Sequence, residues 1–479
     1  MSFASLTFLI FFVIVYGIIL LFEIKPLRTV LPSEAQLTLK HIILVIASYF
    51  FYGWWDYRFC FLMFSLSFIA WFCAKMADAH KMRKLCAVVG IVVPLLTLGF
   101  FKYFNFFVDS FAKAFGIASA GTLNIILPVG ISFYTFQSMS YTIDVLRGKY
   151  KHCTLLETLL YVSFFPQLVA GPIVKASEFM PQLKENKSLK LSDLCAGLQI
   201  FIFGLIKKLV IADNLSLFVD DFFAKPLAFS SLTAVLAVVS YSIQIYCDFS
   251  GYSDMAIGVA RCFGYNFNPN FNIPYISKNV SEFWKRWHIS LSSWLQEYLY
   301  IPLGGNRKGT MRTYINLLTT MVLGGLWHGA NYTFVVWGLL HGLALCMHKL
   351  YASKRTGKTV TALGTLLSIL LTYGFVCICW VFFRAPTFSV AMDVLYRLLV
   401  WKRGITQVFV PALCCILLLI ASTMFAVIKS RRAGQQRVNG FYLILDLTKF
   451  SSLVILFVAV MLIVALAYTN ANPFIYFQF

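Results

Sequence analysis

Long apolar stretches recur along almost the whole chain, near residues 3–24, 41–55, 59–76, 85–107, 125–146, 155–171, 194–215, 231–248, 313–329, 334–350, 361–383, 408–428 and 450–469. Short polar or basic loops separate them. None shows the clear ~10-residue alternation of a membrane β-strand, so the pattern predicts helices, not a barrel. Backbone polar groups in lipid must be satisfied within the segment, and a helix does this. Several stretches are short or carry Pro or Gly. "YVSFFPQLVAGP" (161–172) reads as a re-entrant segment, because broken backbone survives at membrane depth only inside protein or beside a cavity. That leaves an expectation of about 11–12 spans. "LTFLIFFVIVYGIILLF" (6–22) has no small-residue cleavage motif after it and is expected to be a retained helix.

One region breaks this rhythm. Residues 249–312 mix polar and aromatic positions and carry seven Lys or Arg. Inside it, "SKNVSEFWKRWHISLSSWLQEYL" places Val280, Phe283, Trp284, Trp287, Leu291, Trp294, Leu295 and Tyr298 at i, i+3, i+4 and i+7 spacing. The spacing predicts one amphipathic helix over 280–298, lying at the cytoplasmic membrane interface. Lys285 and Arg286 would project from the other side, with His288 at the flank of the stripe.

Composition sharpens the class. Hydrophobic residues make up 60% of the 479 and charged residues 12%, about half the charged share of a soluble protein. The chain is expected to be one polytopic membrane unit over 1–479, with no linker and no soluble domain. A net charge of +21 might be read as nucleic-acid binding. The basic residues instead sit in short clusters between apolar runs, the pattern of membrane-flanking loops, so no nucleic-acid partner is expected. "HKMRK" (80–84), "RGKYK" (147–151), "KLYASKRTGK" (349–358) and "KSRRAGQQR" (429–437) are expected on the cytoplasmic side. This threading puts the N-terminus outside and leaves Arg384, Arg397, Lys402 and Arg403 on the unfavoured side. The twelve cysteines lack zinc spacing and any C-x-x-C pair, so they read as small buried hydrophobes, and no metal is expected.

Seven histidines are the candidates for chemistry. His41, His80 and His152 lie at the edges of apolar stretches and read as solvated or interfacial; His348, beside Lys349, reads likewise. His288, His328 and His341 differ, since an ionisable group at membrane depth is a functional hypothesis by default. In "GLWHGANYTFVVWGLLHG" (325–342), glycines flank His328, letting the backbone bend or a substrate approach. A core histidine bonded to a backbone carbonyl is the bland alternative. For His341 the bland alternative is helix-packing glue with Trp337. Asp248 and Asp254 in "DFSGYSDM" suit structural roles: pairing with a cation, capping a helix or orienting a base. There is no H-E-x-x-H, no carboxylate cluster and no G-x-S-x-G. An imidazole supplies a general base with a pKa near neutrality. A transporter with a histidine proton relay fits the same residues.

The segment "DFSGYSDMAIGVARCFGYNFNPNFNIPYISKNVSEFWKRWHISLSSWLQEYLYIPLGGN" (248–306), followed by "GGLWHGANYTFVVWGLLHG" (324–342), resembles the membrane-bound O-acyltransferases. "LPVGISFYTFQSMSYTIDVLRG" (127–148) and "FFPQLVAGPI" (164–173) fit the bacterial branch that acetylates alginate or peptidoglycan. The resemblance runs over nearly the whole chain. It implies an all-α integral membrane bundle around a central funnel. It also implies that His328, in the W-H-G motif, is catalytic, and that His288, in R-W-H-I-S, is the family's second histidine.

The resemblance gives meaning to the chain end as well. Phe474, Tyr476 and Phe479 spell Phe-x-Tyr-x-x-Phe within 470–479. A similar motif ends a small membrane peptide in the teichoic-acid D-alanylation system, where its tyrosine is implicated in carrying the acyl group. The other reading of Tyr476 is an aromatic anchor at the interface. On this resemblance the donor substrate is acetyl-coenzyme A or a similar acyl thioester on the cytoplasmic side, with no bound cofactor. The expected partner is an extracytoplasmic serine-nucleophile (SGNH-like) acetyltransferase, and the expected setting a bacterial cytoplasmic (inner) membrane with its lipid. An enzyme of the same family using D-alanyl groups or a lipid acceptor is the alternative.

Overall fold

The computed structural model describes residues 1–479 apart from 25–30, 118–122, 170, 355–360, 409–441, 443 and 468–479. The described residues are helical; the only β-type pairing among them is an isolated parallel bridge between Phe229 and Ile405. Among the described residues, seven helices are long and apolar enough to cross a membrane: Ser33–Asp56, Arg58–Asp78, Arg83–Phe115, Leu191–Ala224, Ser231–Cys262, Tyr332–Tyr351 and Ala362–Arg384. Two shorter apolar helices, Leu6–Leu21 and Phe450–Leu466, accompany them. The apolar stretch 408–428 lies outside the described residues.

The described chain groups into two compact units, Met1–Phe201 with Ser253–Asn268, and Ile202–Tyr252 with Pro269–Phe479. In the first unit, a buried aromatic cluster joins three helices: Phe11 and Phe51 both pack on Phe165, with ring centroids 5.2 and 5.8 Å away. Phe165 opens the short helix Phe165–Leu168, which follows Leu155–Ser163 after a backbone break at Phe164. Residues 160–169 are all buried, so the chain does break its helix here, inside protein. The Ile131–Leu146 helix is buried on every side despite Ser132, Thr135, Gln137, Ser138, Ser140, Thr142 and Asp144. His41 corrects the reading from sequence. It is only 3% exposed within the Ser33–Asp56 helix, because the helix begins at Ser33, eight residues before the apolar stretch does.

In the second unit the helices Thr310–His328 and Tyr332–Lys354 form a hairpin with almost no space between backbones. A Cβ on Gly338 would lie 2.3 Å from the Met321 carbonyl oxygen, and one on Gly325 would lie 2.2 Å from that of Phe334. Small residues permit this approach, which apolar side chains in lipid would otherwise prevent. Two of the awkwardly placed basic residues are occupied internally: Arg384 pairs with Asp220 at 2.6 Å, and the Arg397 guanidinium donates to the Leu227 carbonyl. Counting Lys and Arg for orientation therefore treats as loop charges two that are used in packing.

The segment 280–298 is not one helix. Val280–Trp284 ends at Lys285, a second helix runs from Ile289 to Leu295, and a π-turn over Gln296–Tyr300 follows. The break falls at His288, whose φ of 44° lies in the left-handed region. The apolar stripe survives on both pieces, since Phe283, Trp287 and Leu291 are each 1% exposed. The stripe is turned into the protein, and His288, at 0% exposure, sits in the core and not at a flank.

Candidate active site

The second unit brings His288, His328 and His341 into one aromatic assembly. His328 is the last residue of Thr310–His328 and is 2% exposed. Trp327, Trp337 and Phe383 stand edge-on around its ring, with centroids 5.0, 5.0 and 5.2 Å away. Trp337 also meets His341 at 4.9 Å, so one indole separates two imidazoles. Trp327 links His328 to His288, at 6.1 Å. Trp337 thus stands between His328 and His341.

The hydrogen bonds of His288 fix its tautomer. Asn270 Oδ1 accepts from the Ser290 backbone N–H at 3.1 Å and from Ser290 Oγ at 2.9 Å, so it is the carbonyl end of the amide. His288 Nδ1 lies 3.2 Å from that same oxygen and must donate to it. A neutral ring then carries its lone pair on Nε2, which has no hydrogen-bond partner among the described residues. Burial pushes the imidazolium down to about 3, which keeps the ring neutral across physiological pH. The left-handed turn allows this, because it aims the side chain between Phe249 and Phe271, at 4.6 and 6.4 Å.

His341 has the opposite tautomer. Trp284 Nε1 can only donate, and it reaches His341 Nδ1 at 3.3 Å. The ring proton therefore sits on Nε2. The expectation that His341 packs with Trp337 is met, with Trp284 as a second indole at 5.1 Å.

Next to Phe249 in the chain, Asp248 belongs to a buried ion cluster whose lysine the sequence reading did not single out. Lys208 Nζ touches Asp213 Oδ1 at 2.8 Å and Asp248 Oδ1 at 2.6 Å, and all three side chains are buried. Lys208 lies in a π-helical stretch, Ile206–Ala212. Asp248 thus takes the first of its expected roles, pairing with a cation. A lysine inside the apolar run 194–215 was the available clue. Tyr476 lies outside the described residues.

The sequence model of the membrane-bound O-acyltransferase family matches residues 46–356. The chain belongs to this family. It is therefore an acyltransferase and a multi-pass membrane protein, as the resemblance implied. It is similar to the peptidoglycan O-acetyltransferase of Helicobacter pylori, with 41% identity over 382 residues, 74% of this chain and 72% of the relative. It is equally similar to the probable alginate O-acetylase AlgI of Pseudomonas aeruginosa, 41% identical over 360 residues, 74% of this chain and 68% of that one. A more distant relative is the teichoic acid D-alanyltransferase of Bacillus subtilis, 28% identical over 280 residues, 55% of this chain and 70% of the relative. Within the matched span of this O-acyltransferase lie His288, His328 and His341, the Lys208 cluster and Asn270, whereas the buried His41 falls just before it.

Proposed function

We propose that this O-acyltransferase moves an acetyl group from a cytoplasmic thioester, acetyl-coenzyme A or a close relative, to an exported polysaccharide of the alginate or peptidoglycan kind. It would act in the bacterial cytoplasmic membrane and deliver the group through an extracytoplasmic partner with a serine nucleophile. The observation that carries the reading is His328: an imidazole walled by Trp327, Trp337 and Phe383 where solvent is excluded. The relatives at 41% identity add the acyl group and acceptor class through their names, peptidoglycan O-acetyltransferase and alginate O-acetylase.

Coenzyme A is too large and too charged to cross lipid, so its acetyl end must meet the acceptor inside the protein. In this scheme His328 removes the proton from an incoming hydroxyl as its oxygen attacks the thioester carbonyl carbon. The carbonyl π electrons move onto oxygen. They return as the C–S bond breaks, and the thiolate takes the proton from His328. His288, with its Nε2 lone pair, offers a hydrogen-bond acceptor and stays neutral throughout. The incoming hydroxyl is the phenol of Tyr476, whose ordinary pKa near 10 explains the need for a base. Acetyl-tyrosine then passes its group to the partner.

The test uses Tyr476→Phe and His328→Ala in cells carrying the full chain. Tyr476→Phe keeps the aromatic ring and so preserves anchoring. Under the carrier reading, polysaccharide acetylation is almost lost. Mass spectrometry of the wild-type C-terminal peptide then shows one acetyl on Tyr476, absent from His328→Ala. An active Tyr476→Phe leaves direct transfer from donor to partner; a well-expressed, active His328→Ala overturns the whole scheme.

A further inference from the structure

We propose that His341 is a fixed hydrogen-bond donor to the carbonyl oxygen of the transferring acyl group, a catalytic role separate from that of the base. It rests on the proposed acyl transfer at His328.

Three observations support it. First, Trp284 occupies His341 Nδ1, so the proton is held on Nε2 and the ring cannot serve as a base through either nitrogen without breaking a bond. Second, His341 is 0% exposed and its Nε2 has no hydrogen-bond partner among the described residues. A buried donor left unsatisfied is costly, and native proteins keep such a group for a reason, a catalytic role among them. Third, His341 and His328 belong to one aromatic assembly, each packed on the Trp337 indole, at 4.9 and 5.0 Å. Aromatic rings hold His341 in place, with Phe283 stacked at 5.9 Å and Phe375 edge-on at 5.6 Å.

These features match what a developing oxyanion needs: a neutral donor, oriented in advance, where water does not compete. When the hydroxyl oxygen bonds to the thioester carbon, negative charge gathers on the carbonyl oxygen. His341 Nε2–H shortens its hydrogen bond to that oxygen, and no proton is transferred. When the C–S bond breaks, the charge leaves and the bond relaxes. The site thereby divides its work between two neutral imidazoles. His328 moves the proton and His341 steadies the charge. Trp284 is a positioning residue that selects the His341 tautomer.

The experiment exploits amide mimicry. Asparagine at 341 reaches the Nδ1 position and keeps the Trp284 bond but has nothing at Nε2. Glutamine reaches the Nε2 position and can restore a donor there. Membranes bearing full-length variants are assayed with radiolabelled acetyl-coenzyme A, and each protein is checked by gel filtration in detergent. His341→Asn should lower kcat by about 10²- to 10³-fold at an unchanged KM for the donor, and His341→Gln should recover about tenfold of that loss. A His341→Asn enzyme within a few-fold of wild type overturns the proposal, as does equal impairment of the two variants. Trp284→Phe leaves His341 in place; should His341→Asn fail to fold, a Trp284→Phe enzyme with wild-type kcat overturns the proposal instead. His328→Ala serves as the control. If it stays active, the underlying reading of the site fails; if it is inactive while His341→Asn is active, only the present inference fails.

Discussion

Replacing Lys208 with methionine keeps most of the side-chain volume but removes the ammonium group that both Asp213 and Asp248 contact, at 2.8 and 2.6 Å. The wild-type trio carries a net charge of −1. Lys208→Met takes this to −2 in a place where the three side chains are at most 6% exposed. Breaking a buried pair by removing one partner costs about 3–5 kcal/mol, because the other charge stays behind without compensation. Asp248→Asn is a different change. It leaves a neutral Lys208–Asp213 pair, and its cost is that of a weakened hydrogen bond, about 1–3 kcal/mol. The structure therefore predicts an order and not only a direction: Lys208→Met is the most harmful, with Asp213→Asn and Asp248→Asn milder. Thermal unfolding of detergent-purified protein, followed by fluorescence-detected gel filtration, measures this order. Activity should follow it, since Asp248 directly precedes Phe249, whose ring stands 4.6 Å from that of His288. If either Asn variant proves less stable than Lys208→Met, the charge argument is refuted. The cluster would then owe its stability to shape and packing.

Three further outcomes follow from the same geometry. Gly338→Ala should fail to accumulate as folded protein, because its Cβ would lie 2.3 Å from the Met321 carbonyl oxygen on the partner helix, where backbone cannot step aside; normal yield and melting temperature would show that the hairpin has slack. His288 is held neutral with its folded value down at about 3, below the ordinary value near 6.5, so folding loses stability as pH falls from about 6.5 toward 3, by up to about 1.4 kcal/mol per pH unit. His288→Gln should flatten that part of the pH dependence of the melting temperature, and an unchanged slope would place the titration elsewhere. Asn270→Leu removes the acceptor that holds the His288 proton on Nδ1, so acetylation should drop while His341 variants of the same protein keep their relative order; full activity in Asn270→Leu would deny that the tautomer matters.

What could be read from the chain itself was class and family. Lipid imposes one rule on every backbone group, and that rule leaves its mark as long apolar runs, so an all-helical membrane protein was legible without any fold. His328 and His288 stood out because motif and burial cost both pointed to them. The pairing of His341 with Trp337 was readable too, being a local spacing of four residues on one helix. The remaining features depend on contacts between distant segments. A period of 3.6 predicted one helix over 280–298, but a stripe is indifferent to a break that preserves its facing, and only the packing around Asn270 and Phe271 shows why the chain turns left-handed at His288. His41 seemed to lie at an edge because hydropathy locates apolar runs and not helix starts. The two tautomers are the clearest case. Each is set by one partner, Asn270 for His288 and Trp284 for His341, at separations of 18 and 57 residues. Whether an imidazole offers a lone pair or a proton is not a property of histidine in a sequence; it is decided by the group that the fold sets against its other nitrogen.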